Sequence, residues 1–308
     1  MRKVVHHIVY STKGGCGKTA FSLCLSCTEL SEFIRKVSGK EGASYTTDTQ
    51  TTTSLLNYNY YLDLDFLGTS VMECLPIFES EVAKVQDLIF NRLTVDNIKK
   101  IVDNKLDLKV FAVPADKEQK EKNNFQVKRK HTPLLRYDEF RYEMDSIISN
   151  IGLFVDTESL NNNNYSINYI YDLPPNSDGY TEAFFEEIFK KLTVNSSDKI
   201  ILYILFNNRA MLNCNIEWIT YFMSEDKNRR CNVIFVYTEN LKTIEKYDLN
   251  TVKSMMDDKI KNRDFKLSFY TFKHDDKISS LYNEQESYDS EKFEALKLNI
   301  ADEVIVED

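Results

Sequence analysis

Residues 10–20 read Y-S-T-K-G-G-C-G-K-T-A, and the spacing of glycines and lysines in that run is what phosphate binding requires. Gly14, Gly15 and Gly17 keep the turn clear of Cβ atoms, so successive backbone N–H groups can converge on phosphate oxygens. Lys18 offers a mobile positive charge for the β and γ phosphates, and Thr19 a hydroxyl for Mg²⁺. The apolar residues Val4, Val5, Ile8 and Val9 before the run predict a strand, and F-S-L-C-L-S-C after it predicts a helix. Strand, glycine turn and helix in that order aim the positive end of a helix dipole at an anion.

Two further segments place carboxylates where such a site could use them. An aromatic-rich strand over residues 57–70 ends in Asp63-x-Asp65-x-x-Gly68-x-Ser70, and a second runs through Ile167, Tyr169, Ile170 and Tyr171 to Asp172, then Leu173-Pro174-Pro175. Acids at the carboxyl ends of strands beside a phosphate site can orient a water or sit in the shell of a divalent ion. Taken alone, Asp63 and Asp65 could equally be turn formers.

The ordinary phosphate-loop pattern G-x-x-x-x-G-K-[ST] asks for glycine at position 12, where this chain has Thr12, and a second lysine, Lys13, follows. K-G-G-x-G-K-[ST] is the deviant phosphate loop of the ParA/MinD ATPase family, and the stretch resembles it at every defined position. The D-x-D-x-x-G and D-x-P-P segments resemble that family's two switch regions, in the correct chain order. The resemblance implies ATP and Mg²⁺ as cofactors, slow hydrolysis, and a face-to-face homodimer formed on ATP binding, with a partner protein that stimulates turnover. It assigns the nucleotide to Lys13, Gly14, Gly15, Cys16, Gly17, Lys18, Thr19 and Ala20. Asp65 would orient the attacking water, and Asp172 would hold a Mg²⁺-bound water beside Thr19. Lys13 would cross to the phosphates of the partner subunit, so that Lys13, Lys18, Asp65 and Asp172 form the catalytic set. Relatives often read the base with an asparagine after the strand that here ends at Tyr237, which makes Asn240 a candidate.

The elements that must position these residues follow from the pattern of the whole chain. At 308 residues, with 42% hydrophobic and 28% charged residues, the chain suits one large α/β domain spanning residues 1–308. The expected fold is a mostly parallel twisted sheet flanked by helices on both faces, as in the P-loop NTPases of MinD/ParA type. Helices are expected over about 18–36, 82–101 (two short ones), 138–150, 181–192, 216–223, 242–260 and 291–299. Further strands are expected over 106–114, 199–206, 232–237 and 265–272.

The remaining segments bound the partners. The longest clean apolar run, residues 200–206, is too short to span a bilayer, and residues 1–3 lead straight into the first strand, so a cytoplasmic location is expected. The net charge of −9 argues against indiscriminate nucleic-acid binding by the whole surface. Within the polar loop over 115–137, however, Lys117 to Arg136 hold seven Lys/Arg against two Glu. That stretch is either a solvated loop or a patch for an anionic partner, with non-specific DNA through Lys128, Arg129 and Lys130 the first candidate. Residues 282–308 carry nine Asp/Glu and two Lys, the opposite of a basic membrane-binding helix, so no membrane attachment is expected. Cys24 and Cys27 form C-x-x-C without a second pair and read as small buried hydrophobes; the four histidines show no metal-ligand spacing. The function expected from all this is a nucleotide switch that partitions or positions DNA or another cargo. The alternatives are a metabolic or metallocluster-carrier ATPase of the same fold, and a nucleotide-binding interaction module without turnover.

Overall fold

The computed structural model of the chain describes residues 2–26, 28, 30, 33, 56–64, 83–84, 107–112, 165–173, 175, 199–223, 231–239, 246–257, 259, 267–273 and 304–306. Nine strands form one sheet in the order β3-β4-β2-β5-β1-β6-β7-β8-β9. They are β1 (Arg2–Tyr10), β2 (Leu56–Asp63), β3 (Ala83–Lys84), β4 (Asp107–Ala112), β5 (Tyr165–Asp172), β6 (Lys199–Phe206), β7 (Cys231–Thr238), β8 (Leu267–Phe272) and β9 (Val304–Val306). Every neighbouring pair is parallel except β8 with β9, which run antiparallel. Strands of such a sheet are buried on both faces and read as near-continuous apolar runs, as K-I-I-L-Y-I-L-F of β6 does.

The described helices are α1 (Lys18–Ser26), α2 (Arg209–Met223) and α3 (Leu249–Asp257). β1 lies between β5 and β6, so the chain leaves it first toward β2 and later, after β6, toward β7 on the other side. Right-handed crossovers in opposite directions must place their helices on opposite faces. The packing agrees. Phe21 of α1 lies against Tyr203, whose strand partner is Val9, whereas Trp218 of α2 lies 4.1 Å, centroid to centroid, from Tyr10, the next residue along β1. Adjacent residues of a strand point to opposite faces. The fold is thus an α/β sheet covered on both sides, with the topological reversal at β1, where ligands of such sheets bind.

A polar seam crosses the face beneath α1. Asn168 donates from Nδ2 to Asn59 Oδ1 at 2.8 Å, and its Oδ1 lies 3.4 Å from His7 Nε2, while His7 Nδ1 lies 2.9 Å from the Tyr203 hydroxyl. With Asn168 Oδ1 facing His7, the matching tautomer carries its proton on Nε2 and accepts from Tyr203. On the other face His6 stacks on Tyr169 and accepts or donates at 3.0 Å with the Tyr171 hydroxyl. Both histidines are buried structural groups.

Several boundaries differ from expectation. Ala83–Lys84 is a strand within a stretch expected to be helical; parallel pairing with Phe111 and Ala112 supplies the backbone partners a helix would have found internally. α2 begins at Arg209, seven residues before the expected start, because Asn208 Oδ1 accepts the Met211 N–H at 2.9 Å and caps it. α3 begins at Leu249 rather than near 242, since Asp248 caps it through the Thr251 N–H at 2.7 Å. The acidic tail contributes β9, which its composition did not suggest. The expected helices over 138–150, 181–192 and 291–299, the basic loop over 115–137 and most of the tail lie outside the described residues.

Candidate phosphate-binding site

The carboxyl end of β1 delivers the chain into the turn Ser11–Gly17, and α1 starts at Lys18. Gly15 and Gly17 have φ of 77° and 78°, the left-handed region in which a side chain is strained. Gly17 is confined further, because a Cβ there would lie 3.4 Å from Thr238 Cγ2 at the end of β7. Around Gly14 the neighbour is Pro175, at 3.9 Å from a would-be Cβ. The proline three residues beyond Asp172, in the second expected switch, therefore sits against the turn. The first intrahelical bond, from the Phe21 N–H to Gly17 O at 2.9 Å, closes the turn onto the helix.

The two lysines are held differently. Lys18 is 6% exposed, tucked at the start of α1, whereas Lys13 is exposed to solvent. Thr19 is half-buried and Ala20 buried. Cys16 is buried beneath the turn and its thiol donates to Lys13 O at 3.7 Å. Burial pushes that thiol above its ordinary range, opposed only in part by the Lys18 charge and the Ser11 hydrogen bond.

Asp63 and Asp172 are register partners at the ends of β2 and β5, both fully buried and on the face that α1 covers. Asp172 is also the partner of Val9, two residues before Ser11. The Tyr61 hydroxyl donates to Asp172 Oδ2 at 3.0 Å. Backbone bonds from Leu64 N to Asp172 O (3.0 Å) and from Leu173 N to Val9 O (3.3 Å) carry the strand pairing up to the loop. Thr19 supplies a hydroxyl and Asp172 a strand-end carboxylate, donor types that a hard divalent ion accepts. Among the described residues no group of three His, Cys, Asp or Glu gathers into an all-protein metal site. Asp65, Asn240, Lys128, Arg129 and Lys130 lie outside the described residues.

Residues that the motifs did not single out brace the turn. Asn207, directly after β6, donates from Nδ2 to Gly15 O at 3.3 Å. Asn215, fully buried on α2, accepts from both the N–H and the hydroxyl of Thr12, at 3.0 and 2.8 Å. The signal for Asn207 was a polar residue ending an apolar strand; for Asn215 it was a lone amide among Met211, Leu212, Ile216 and Ile219 on the buried side of a helix.

A strand, a glycine turn with two left-handed residues and a helix, set at the reversal point of a mostly parallel sheet, is the architecture of the P-loop NTPase type. No protein-family model matches the sequence, and no curated protein matches it. Among solved structures the chain is similar to the MinC:MinD cell division protein complex of Aquifex aeolicus, with 14% identity, a TM-score of 0.42, and coverage of 92% of this chain and 86% of that one. Among the described residues no helix is long and apolar enough to cross a membrane.

Proposed function

We propose that this chain is an ATP-dependent, dimerising nucleotide switch with slow hydrolysis, resembling ParA/MinD proteins that partition or position DNA or another cargo. The observation that carries the reading is the contrast between two lysines on one glycine turn: Lys18 buried at the helix start, Lys13 exposed five residues earlier. A buried lysine there serves its own subunit's anion, and an exposed one is free to reach another molecule.

In this reading the N–H groups of Gly14 to Gly17 and the Lys18 ammonium would hold the phosphates, Thr19 would bind Mg²⁺, and Asp172 would hold a water of that ion. ATP with Mg²⁺ brings the reactive phosphoanhydride. Asp65 orients the water that attacks, and the carboxylate of Asp172 keeps its direction through the Tyr61 hydroxyl. Lys13 offsets developing charge only when two copies meet, much as an arginine finger does in trans. Pro175, lying against Gly14, couples the loop after Asp172 to occupancy of the turn, so that nucleotide state can be read by a partner protein or by DNA.

The test is ATP turnover together with light scattering on the purified chain, with and without ATP and Mg²⁺. Turnover and an ATP-dependent dimer are expected. Lys18→Ala should abolish nucleotide binding, and Lys13→Ala should leave binding intact while removing the dimer. A Lys13→Ala protein that dimerises and hydrolyses like the parent would sink the reading.

A further inference from the structure

The helix on the far face of the sheet holds the turn at the residue before Lys13. Asn215 is fully buried, and its side-chain hydrogen bonds bear on this corner. Its Oδ1 takes the Thr12 N–H at 3.0 Å and the Thr12 hydroxyl at 2.8 Å, and its Nδ2 donates to Leu205 O at 2.7 Å. The amide cannot be reversed, since a flip would set NH₂ against the Thr12 N–H and oxygen against a carbonyl. One side chain thus joins α2, the last residues of β6 and the start of the turn. The next N–H along, that of Lys13, lies 3.4 Å from the Oγ of buried Ser11. The backbone on which Lys13 stands is fixed while its side chain remains exposed.

We propose that Asn215 is a positioning residue for Lys13, acting through Thr12. The inference rests on the reading of Lys13 as the lysine that reaches another subunit. It also gives Thr12 a purpose. A glycine at that position would keep the N–H bond to Asn215 and lose the hydroxyl bond, so the threonine adds a second hold just where the second lysine needs one. The two lysines are then anchored from opposite faces of the sheet, Lys18 within α1 and Lys13 through α2. One can be disturbed without the other.

Thr12→Val keeps the shape and the backbone N–H but removes the hydroxyl donor, and Thr12→Ser restores it. In the full chain, Thr12→Val should bind a fluorescent ATP analogue within about twofold of the parent. Its kcat should fall about fivefold to tenfold with KM unchanged, the scale of one net hydrogen bond. Thr12→Ser should recover the rate, and Thr12→Val should add nothing in a Lys13→Ala background. A parental kcat in Thr12→Val, a parallel loss of binding and rate, or additivity with Lys13→Ala overturns the proposal. Hydrogen exchange on nucleotide-free protein separates this from failure of the nucleotide-switch reading. In the peptide covering residues 10–17, Thr12→Val should exchange about fivefold to tenfold faster and Thr12→Ser like the parent. If the parent hydrolyses no ATP, the switch reading falls and this exchange comparison alone decides, with unchanged exchange in Thr12→Val overturning the brace.

Discussion

Tyr61 and Asp172 meet across two strands: the phenol of β2 donates at 3.0 Å to the carboxylate that ends β5, and both side chains are buried on the face beneath α1. A hydrogen bond to a carboxylate sets the direction of its oxygens, and on the proposed reading, in which Asp172 holds a Mg²⁺-bound water, Tyr61 acts on the metal site through that carboxylate. Tyr61→Phe keeps the ring packing and removes the donor. The Mg²⁺ concentration needed for half-maximal ATP turnover should rise about tenfold, with the thermal midpoint shifting by only a few degrees, as one lost hydrogen bond implies. An unchanged Mg²⁺ requirement would separate Asp172 from the metal.

Gly15 and Gly17 share a left-handed backbone, yet only one has a neighbour in the way. Gly15→Ala should cost about 1–2 kcal/mol in folding stability from conformation alone. Gly17→Ala should cost somewhat more, because its methyl also closes on Thr238 Cγ2 at 3.4 Å. Urea denaturation and titration with a fluorescent ATP analogue check both; equal losses in the two variants would rule out the Thr238 contact as a constraint.

Cys231 lies at the start of β7, and burial holds its thiol well above the ordinary value of 9.0. A raised folded value means that the unfolded chain releases this proton first, so stability is fully present below pH 9.0 and falls as pH rises beyond it. The slope is at most about 1.4 kcal/mol per pH unit for one group. Urea midpoints from pH 8 to 11 should fall in the parent and fall less steeply in Cys231→Ala. Identical slopes in the two proteins would exclude the thiol as a contributor.

Reversing Lys128, Arg129 and Lys130 to glutamate tests whether the basic stretch meets DNA. Retention of the chain on duplex DNA should weaken, and the dependence of log affinity on log salt should become shallower by roughly the number of phosphate contacts removed. Equal retention and slope would assign those charges to a solvated loop.

The turn, β5 ending at Asp172 and β6 at residues 199–206 were legible from the sequence, because glycine spacing and unbroken apolar runs are local properties. What escaped was tertiary. Thr12 and Asn215 are 203 residues apart and nothing local pairs them. Asp63 and Asp172 read as separate motifs until parallel pairing set them side by side. The start of α2 was missed because Asn207-Asn208 looks like a loop, although Asn208 is its cap. Ala83–Lys84 escaped because so short a strand owes its form wholly to β4.

The chain of amides, imidazole and phenol formed by Asn59, Asn168, His7 and Tyr203 has an effect on how the sheet can assemble. Sliding any of these four strands by a single residue would turn its polar group to the opposite side and strand the others in an apolar slab. A purely aliphatic interior would forgive such a slip. Here mismatch is penalised at three successive strand boundaries, and the alignment that satisfies them is the one that brings Val9 level with Asp172 and closes the turn where Lys18 begins its helix.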